Sequence, residues 1–295
     1  MSHTLIRDKV FPLLDEPGNT VMILIDNLRF DQWKVIQPII EEFYRVERDE
    51  LYYSIIPTVT QFARNALFAG LLPSEIEKKY PNWWLNDWDE GTKNQYEEDL
   101  LTENLKRYGR DVKYQFTKVL NLNVGRKLVE SLPNIVGNKF NVIVYNFVDM
   151  LSHARTEMEI IRELADNEAA YRSLTVSWFE HSPLFDIIKY LASKKVNICI
   201  TTDHGSIRVQ SPVKVIGDKQ TNTNLRFKAG RNLNFNKKDC FQLKNPDDGR
   251  LPKGNVSTSY IFARGSDFFA YPNNYNYYAN YYRNTFQHGG ISLDD

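Results

Sequence analysis

Three aspartates and three histidines stand where they can act as one group. Asp26 closes an apolar run at 20–26 (TVMILID), Asp149 and His153 follow a second at 141–148 (NVIVYNFV), and Asp203-His204 follows a third at 196–202 (VNICITT). His288 lies in the turn Gln287-His288-Gly289-Gly290, where glycines let the backbone approach a ligand closely. Taken singly, a strand-end Asp is a helix cap or turn former, and a lone His is structural. Converging carboxylate and imidazole groups instead suit a zinc or manganese site. A pair of threonines completes the set. Residues 56–70 (IPTVTQFARNALFAG) read as the end of an apolar strand, 52–56, then a turn and a small-residue helix. A Thr hydroxyl at such a junction sits by helix N-terminal amides that favour an anion, although Thr58 or Thr60 serves equally well as a plain N-cap.

The elements that position these groups follow from patterning. The three apolar runs are of strand length, rich in β-branched residues and apolar on both faces, which is the signature of central strands in a covered parallel sheet. Between them, 32–43 carries Trp33, Ile36, Ile39, Ile40 and Phe43 at helical spacing, and 169–192 reads the same way. This alternation predicts an α/β, doubly wound, mostly parallel sheet flanked by helices, with ligands bound beyond the carboxyl ends of the strands. Two segments interrupt it. Residues 75–113, with Trp83, Trp84, Trp88 and the run Glu97-Glu98-Asp99, are expected to form a helical insertion. Residues 207–253 hold eleven Lys/Arg against four Asp, a local charge of +7, and are expected to form a basic cap. Six tyrosines between 271 and 282 read as packing.

Composition excludes several classes. The 295 residues hold 37 Lys+Arg against 37 Asp+Glu, so no overall charge points to nucleic acid or a membrane surface. No apolar run approaches the ~18 residues of a membrane span, and the start has no signal-peptide pattern; the expected compartment is the cytosol. Two cysteines, Cys199 and Cys240, exclude a disulfide scaffold and a four-cysteine zinc site. Dinucleotide and phosphate-loop glycine motifs, His-Glu-x-x-His and Gly-x-Ser-x-Gly are all absent from the sequence.

The order Asp26, Pro-Thr-x-Thr with Gly70, Asp149-x3-His153, Asp203-His204-Gly205 and His288-Gly-Gly resembles the alkaline phosphatase superfamily, including its nucleotide pyrophosphatases/phosphodiesterases. The phrases IPTVTQFARNALFAG, YNFVDMLSHAR, ITTDHGS and QHGGISL are similar to the PglZ effector domain of PorX-type response regulators, which control type IX secretion in Bacteroidetes. The resemblance implies two divalent ions, zinc first and manganese second. Asp149, His153 and His288 would hold one, and Asp26, Asp203 and His204 the other, with Thr60 as nucleophile bridging toward it. It implies a phosphodiesterase acting on nucleotides or oligonucleotides, with Thr58 supporting the turn. Sulfatase chemistry is disfavoured, since that branch needs a modified Cys or Ser where Thr60 stands. Asn65 and Arg29 are candidate phosphate contacts, and Lys228 and Arg231 of the basic segment are candidates for drawing in a polyanion. A sensor kinase or a sigma factor is the expected protein partner, and dimerisation is compatible with the reading. The different-class alternative is a signalling scaffold with a structural metal site. With no receiver domain, and with the match stopping at Ser292-Leu293-Asp294-Asp295, the chain is expected to be a truncated effector domain.

Overall fold

A computed structural model describes residues 1–295 apart from Trp88, Lys219, Gln220 and Asn274. Trp88 of the expected insertion and Lys219 of the basic segment therefore lie outside the described residues. The chain divides into two compact units. One comprises Ile6–Tyr52 and Leu105–Asp203; the other comprises Met1–Leu5, Tyr53–Asn104 and His204–Asp295.

The first unit is built on four parallel strands, β1 (Thr20–Ile25), β2 (Tyr114–Val119), β3 (Phe140–Tyr145) and β4 (Asn197–Thr201), in the order β2-β3-β1-β4. Thr20 pairs with Phe140 and Ile25 with Tyr145, so β1 and β3 end level. Every residue of both strands is buried, which explains why neither shows an alternating pattern. Helices Phe30–Glu41, Leu122–Ile135, Glu168–Glu180 and Pro183–Ser193 supply the other side of this core. Ile36 and Ile40 join Phe179, Leu184, Ile187, Ile188 and Leu191 in one apolar cluster with Val21, Ile23 and Ile25. Two expectations change here. The single helix expected over 169–192 is two, because Pro183 cannot continue a helix and instead opens the second at its first position. The edge strand β2 escapes the periodicity reading because its half-exposed YQFTKV mixes polar and apolar positions.

In the second unit the expected strand at 52–56 does not form; the chain there is irregular and leads through a cis Ile56–Pro57 bond to helix Thr60–Ala69. Among the described residues of the 75–113 segment, helix is confined to Pro73–Lys79 and Glu97–Arg107. Glu97, Glu98 and Asp99 occupy the first turn of the latter, where the helix dipole favours acidic groups. The basic segment is a β-structure. Phe227–Gly230, Ser259–Ala263 and Cys240–Leu243 form an antiparallel sheet, and Ser211–Ile216 pairs with Asp267–Ala270 and Asn234–Phe235. A two-residue ladder, Ile207–Arg208 against Phe286–Gln287, is antiparallel with Ile207 opposite Gln287. That ladder runs the segments carrying His204 and His288 alongside each other.

Candidate metal centre and nucleophile

Within the sheet unit, parallel strands place their carboxyl ends on one edge, and the acids follow from that placement. Asp26 directly follows β1, and its N–H donates to the Tyr145 carbonyl at the end of β3 (2.9 Å). Asp203 stands two residues past β4. Both are almost fully buried, and a carboxylate oxygen of each lies within 4.8 Å of the other. Between them Asn27 adopts a left-handed φ of 60°, a conformation asparagine tolerates better than most residues. Its backbone N–H donates to Asp203 Oδ1 (3.3 Å), and its side-chain amide donates to Asp149 Oδ1 (3.5 Å). Asp149 lies in the first turn of helix Phe147–Glu157, with His153 one turn on; their spacing puts them on one face, Nε2 to Oδ2 3.6 Å. His153 is mostly exposed. The Tyr52 hydroxyl donates to the Thr202 carbonyl, and burial first, then the Asp203 charge, raise its pKa, keeping it a protonated donor beside the acids.

Asp203 is the last residue of this unit, and His204 begins the third segment of the other. There, Thr60 is the first residue of its helix, and Val59, not either threonine, is the N-cap residue. Thr60 Oγ1 lies 3.2 Å from His204 Nε2. The other ring nitrogen of His204 faces the Gly205 carbonyl (3.0 Å), and Nδ1 of His288 faces the Thr58 carbonyl (3.2 Å). A carbonyl only accepts, so each Nδ1 donates in these contacts and each Nε2 is turned away from them. Metal-ligating histidines are held in this way. The two rings stack with centroids 4.3 Å apart. Thr58 ties the loops together: its Oγ1 accepts from Gly289 N–H (2.9 Å) and donates to the Gly290 carbonyl (3.3 Å). Gly289 has φ +113°, and a Cβ there would lie 2.8 Å from Asn224 Oδ1.

Of the residues expected to contact phosphate, Arg29, Asn65 and Lys228 have protein partners in the structure. Arg29 donates to both oxygens of Asp31 (2.9 Å each) and to Glu168 (2.6 Å), so its guanidinium is already matched to carboxylates. Asn65 is buried on helix Thr60–Ala69, donating to the Lys93 carbonyl (3.1 Å) and accepting from Asn94 (3.2 Å). Arg231 is exposed. Lys228, expected on a basic surface, is instead 1% exposed: its strand is wholly buried, its ammonium donates to the Asn222 carbonyl (2.9 Å), and it lies over the Tyr271 ring. Residues the sequence reading did not single out complete the arrangement. Asn94 donates to the Thr60 carbonyl (3.0 Å), fixing the first helical turn, and Asn27 joins the three acids of its unit. An Asn after a strand-end Asp was the one local signal for the latter.

Burial pulls the Lys228 pKa from 10.5 down to about 7, against the opposing pull of Asp87, whose own carboxyl burial pushes up to about 6. Because the folded pKa of Lys228 is the lower one, the unfolded chain binds more protons between those limits, and stability rises with pH there. The unfolding free energy from urea titration should therefore increase from pH 7 to pH 9, by at most about 1.4 kcal/mol per pH unit, and Lys228→Met should remove the increase. A rise of equal size in the variant would assign it to other groups.

The donor set fits divalent metal. It offers carboxylate oxygens and imidazole Nε2 atoms, the mixture taken by zinc and manganese, and the buried Asp26–Asp203 pair is a like-charge contact that a cation relieves. The fold is similar to that of murine ectonucleotide pyrophosphatase/phosphodiesterase 5 (TM-score 0.58, 10% identity, covering 92% of this chain and 84% of that one). The human ectonucleotide pyrophosphatase/phosphodiesterase 5 is similar too (TM-score 0.56, 12% identity, with coverage of 92% and 84%). No curated protein matches the sequence significantly. Residues 5–295 match the BREX system PglZ alkaline phosphatase-like domain. With nearly its whole length matched, and with a parallel sheet whose strand ends carry Asp26, Asp149 and Asp203, this chain belongs to the PglZ family of alkaline phosphatase-like domains.

Proposed function

We propose that this chain is a metal-dependent phosphoric diester hydrolase acting on nucleotide or oligonucleotide phosphodiesters, with Thr60 as nucleophile. The observation that carries the reading is the Thr60 hydroxyl, at a helix N-terminus and 3.2 Å from the Nε2 of a histidine whose other nitrogen is bound to a backbone carbonyl. Asp26, Asp203 and His204 would hold one divalent ion and Asp149, His153 and His288 a second, zinc being the first candidate and manganese the next. Such ions, when bound, supply Lewis-acid stabilisation of the phosphoryl charge and a lowered hydroxyl pKa. The chain's own residues do the positioning. The helix N-terminus at Thr60 receives phosphoryl oxygens on its amides, and Asn94 holds that turn through the Thr60 carbonyl. The Nδ1 bonds of His204 and His288 fix both rings with Nε2 presented. Thr60 Oγ would then bond to phosphorus in line as its proton passes to water, the bond to the leaving oxygen breaks and that oxygen takes a proton from water, and a second water displaces Thr60 Oγ from phosphorus, restoring the hydroxyl and releasing the phosphate monoester.

Diesters are favoured over monoesters because the cationic and amide groups that would serve a third phosphoryl oxygen are engaged: Arg29 with Asp31 and Glu168, Asn65 with residues 93–94. On a matched pair of esters with one chromogenic leaving group, kcat/KM for the diester should exceed that for the monoester by at least about 10-fold, roughly 1.4 kcal/mol of transition-state preference. A higher value for the monoester refutes the diesterase reading. The motif phrases also support placing the chain as the effector domain of a PorX-type response regulator, with a sigma factor or sensor kinase as partner. Calorimetric titration with the purified sigma factor tests this, and the absence of a binding isotherm counts against it.

A further inference from the structure

We propose that Arg226 is a positioning residue that, through Asp295 and Ser292, sets His204 and His288 for metal binding; this rests on the reading that these histidines are ligands. Arg226 is wholly buried. Its guanidinium pairs with the Asp295 carboxylate through Nη2 and through Nε (3.3 Å), and it also donates to Ser292 Oγ (3.0 Å) and to the Asp267 carbonyl. Every polar reach of this side chain thus ends in its own unit. Its backbone is held as firmly: Arg226 N–H donates to Asn224 Oδ1 (2.7 Å), and its carbonyl accepts from Ala263 N–H (2.7 Å).

The consequence lies at the two histidines. The Asp295 carboxylate accepts from Ser292 N–H (2.9 Å), closing a turn whose Asp295 carbonyl accepts from Gly205 N–H (3.0 Å), one residue from His204. Gly205 is packed so tightly on that turn that a Cβ would lie 2.4 Å from the Asp294 carbonyl oxygen. On the other side, Gly290, two residues from His288, packs directly on the ion pair: a Cβ there would lie 2.5 Å from Arg226 Nη2 and 2.7 Å from Asp295 Oδ2. The ion pair therefore packs on the backbone beside His288 and, through the Asp295 main chain, holds the backbone beside His204, and the two histidine rings stack at 4.3 Å. A planar guanidinium fork can meet the carboxylate and the serine hydroxyl at once, which a lysine ammonium at the same position cannot do in the same geometry. Removing the fork frees the 292–295 turn and with it the spacing of the two Nε2 atoms.

The test measures zinc affinity of the full chain by competition with a chromogenic chelator, alongside the melting midpoint of the metal-free protein. Arg226→Lys and Asp295→Asn should each weaken zinc binding by about 10- to 100-fold, the usual cost of losing a group that orients a ligand. Arg64→Lys is the control. It breaks another buried ion pair of the same unit, Arg64–Glu97 at 2.8 Å, and should lower the melting midpoint while leaving zinc affinity as in the wild type. Equal affinity in Arg226→Lys, Asp295→Asn and the wild type overturns the proposal, as does an equal loss in Arg64→Lys. If Arg226→Lys does not fold, Ser292→Ala decides, since it deletes one hydroxyl bonded to Arg226 and to Gly265. Severalfold weaker binding supports the role and unchanged affinity ends it. A wild-type protein that binds neither zinc nor manganese refutes the metal reading itself and this inference with it, whereas a metal-binding wild type with unaffected variants overturns the positioning role alone.

Discussion

Thr60→Ala should lower turnover of a chromogenic diester by about 10⁴-fold or more, the scale of losing a nucleophile from a site that retains its other groups. The fold should hardly notice. Thr60 is the first helical residue, and the N-cap residue is Val59. The neighbouring anchors persist, because Asn94 bonds the residue 60 carbonyl and Thr58 bonds Gly289 and Gly290. Zinc content and melting midpoint should therefore match the wild type while kcat collapses. Thr60→Ser, which keeps a hydroxyl, should recover part of the rate. Thr58→Ala should behave differently: it removes the bond to Gly289 N–H and loosens the His288 turn, so it should weaken metal binding and stability before chemistry. Wild-type kcat in Thr60→Ala would transfer the nucleophile to Thr58 or to water.

Chelation should abolish activity and destabilise the protein, and Asp203→Asn should separate the two effects. In the metal-free protein the Asp26 and Asp203 carboxylates face each other within 4.8 Å, both buried. At an effective dielectric near 20, two such charges repel by about 3 kcal/mol, moderated by the Asn27 N–H that donates to Asp203. Adding zinc at about 100 to 1,000 times its dissociation constant should stabilise the fold by about 3–4 kcal/mol. Asp203→Asn deletes one of the two charges. Its metal-free form should be at least as stable as the metal-free wild type, yet zinc should raise its melting midpoint by clearly less than in the wild type, through the Asp149, His153 and His288 set alone, and diester turnover should fall to background. Should Asp203→Asn prove less stable than the wild type in chelator and still respond fully to zinc, the two acids would be structural partners and not ligands.

Much of the frame was legible because it rests on local chemistry. A strand buried on both faces must be continuously apolar, so residues 20–26 and 141–148 announced β1 and β3; residues 196–202 announced β4 too, although it is an outer, half-buried strand and not the covered central one expected; and parallel strands put their following acids on one edge. That is why Asp26, Asp149 and Asp203 were identifiable as a group, and the motif phrases brought in Thr60 and the histidines. What escaped was decided by long-range pairing. Strand β2 is an edge strand with a mixed pattern, and its place was set by its register with β3. Residues 52–56 are apolar enough for a strand, but no neighbouring strand pairs with them in the described structure. The charge count over 207–253 said nothing about burial: Lys228, in strand Phe227–Gly230, and Arg226, the residue before that strand, went inside, where Asn222 and Tyr271 meet the lysine and Asp295 the arginine. Arg29 likewise looked available until the fold brought Glu168, 139 residues away, against it. Residue type and spacing determined which groups can do chemistry and which strand ends carry them. Only the tertiary structure decided which charges spend their hydrogen bonds on the protein, because a partner distant in sequence leaves no trace in the local pattern.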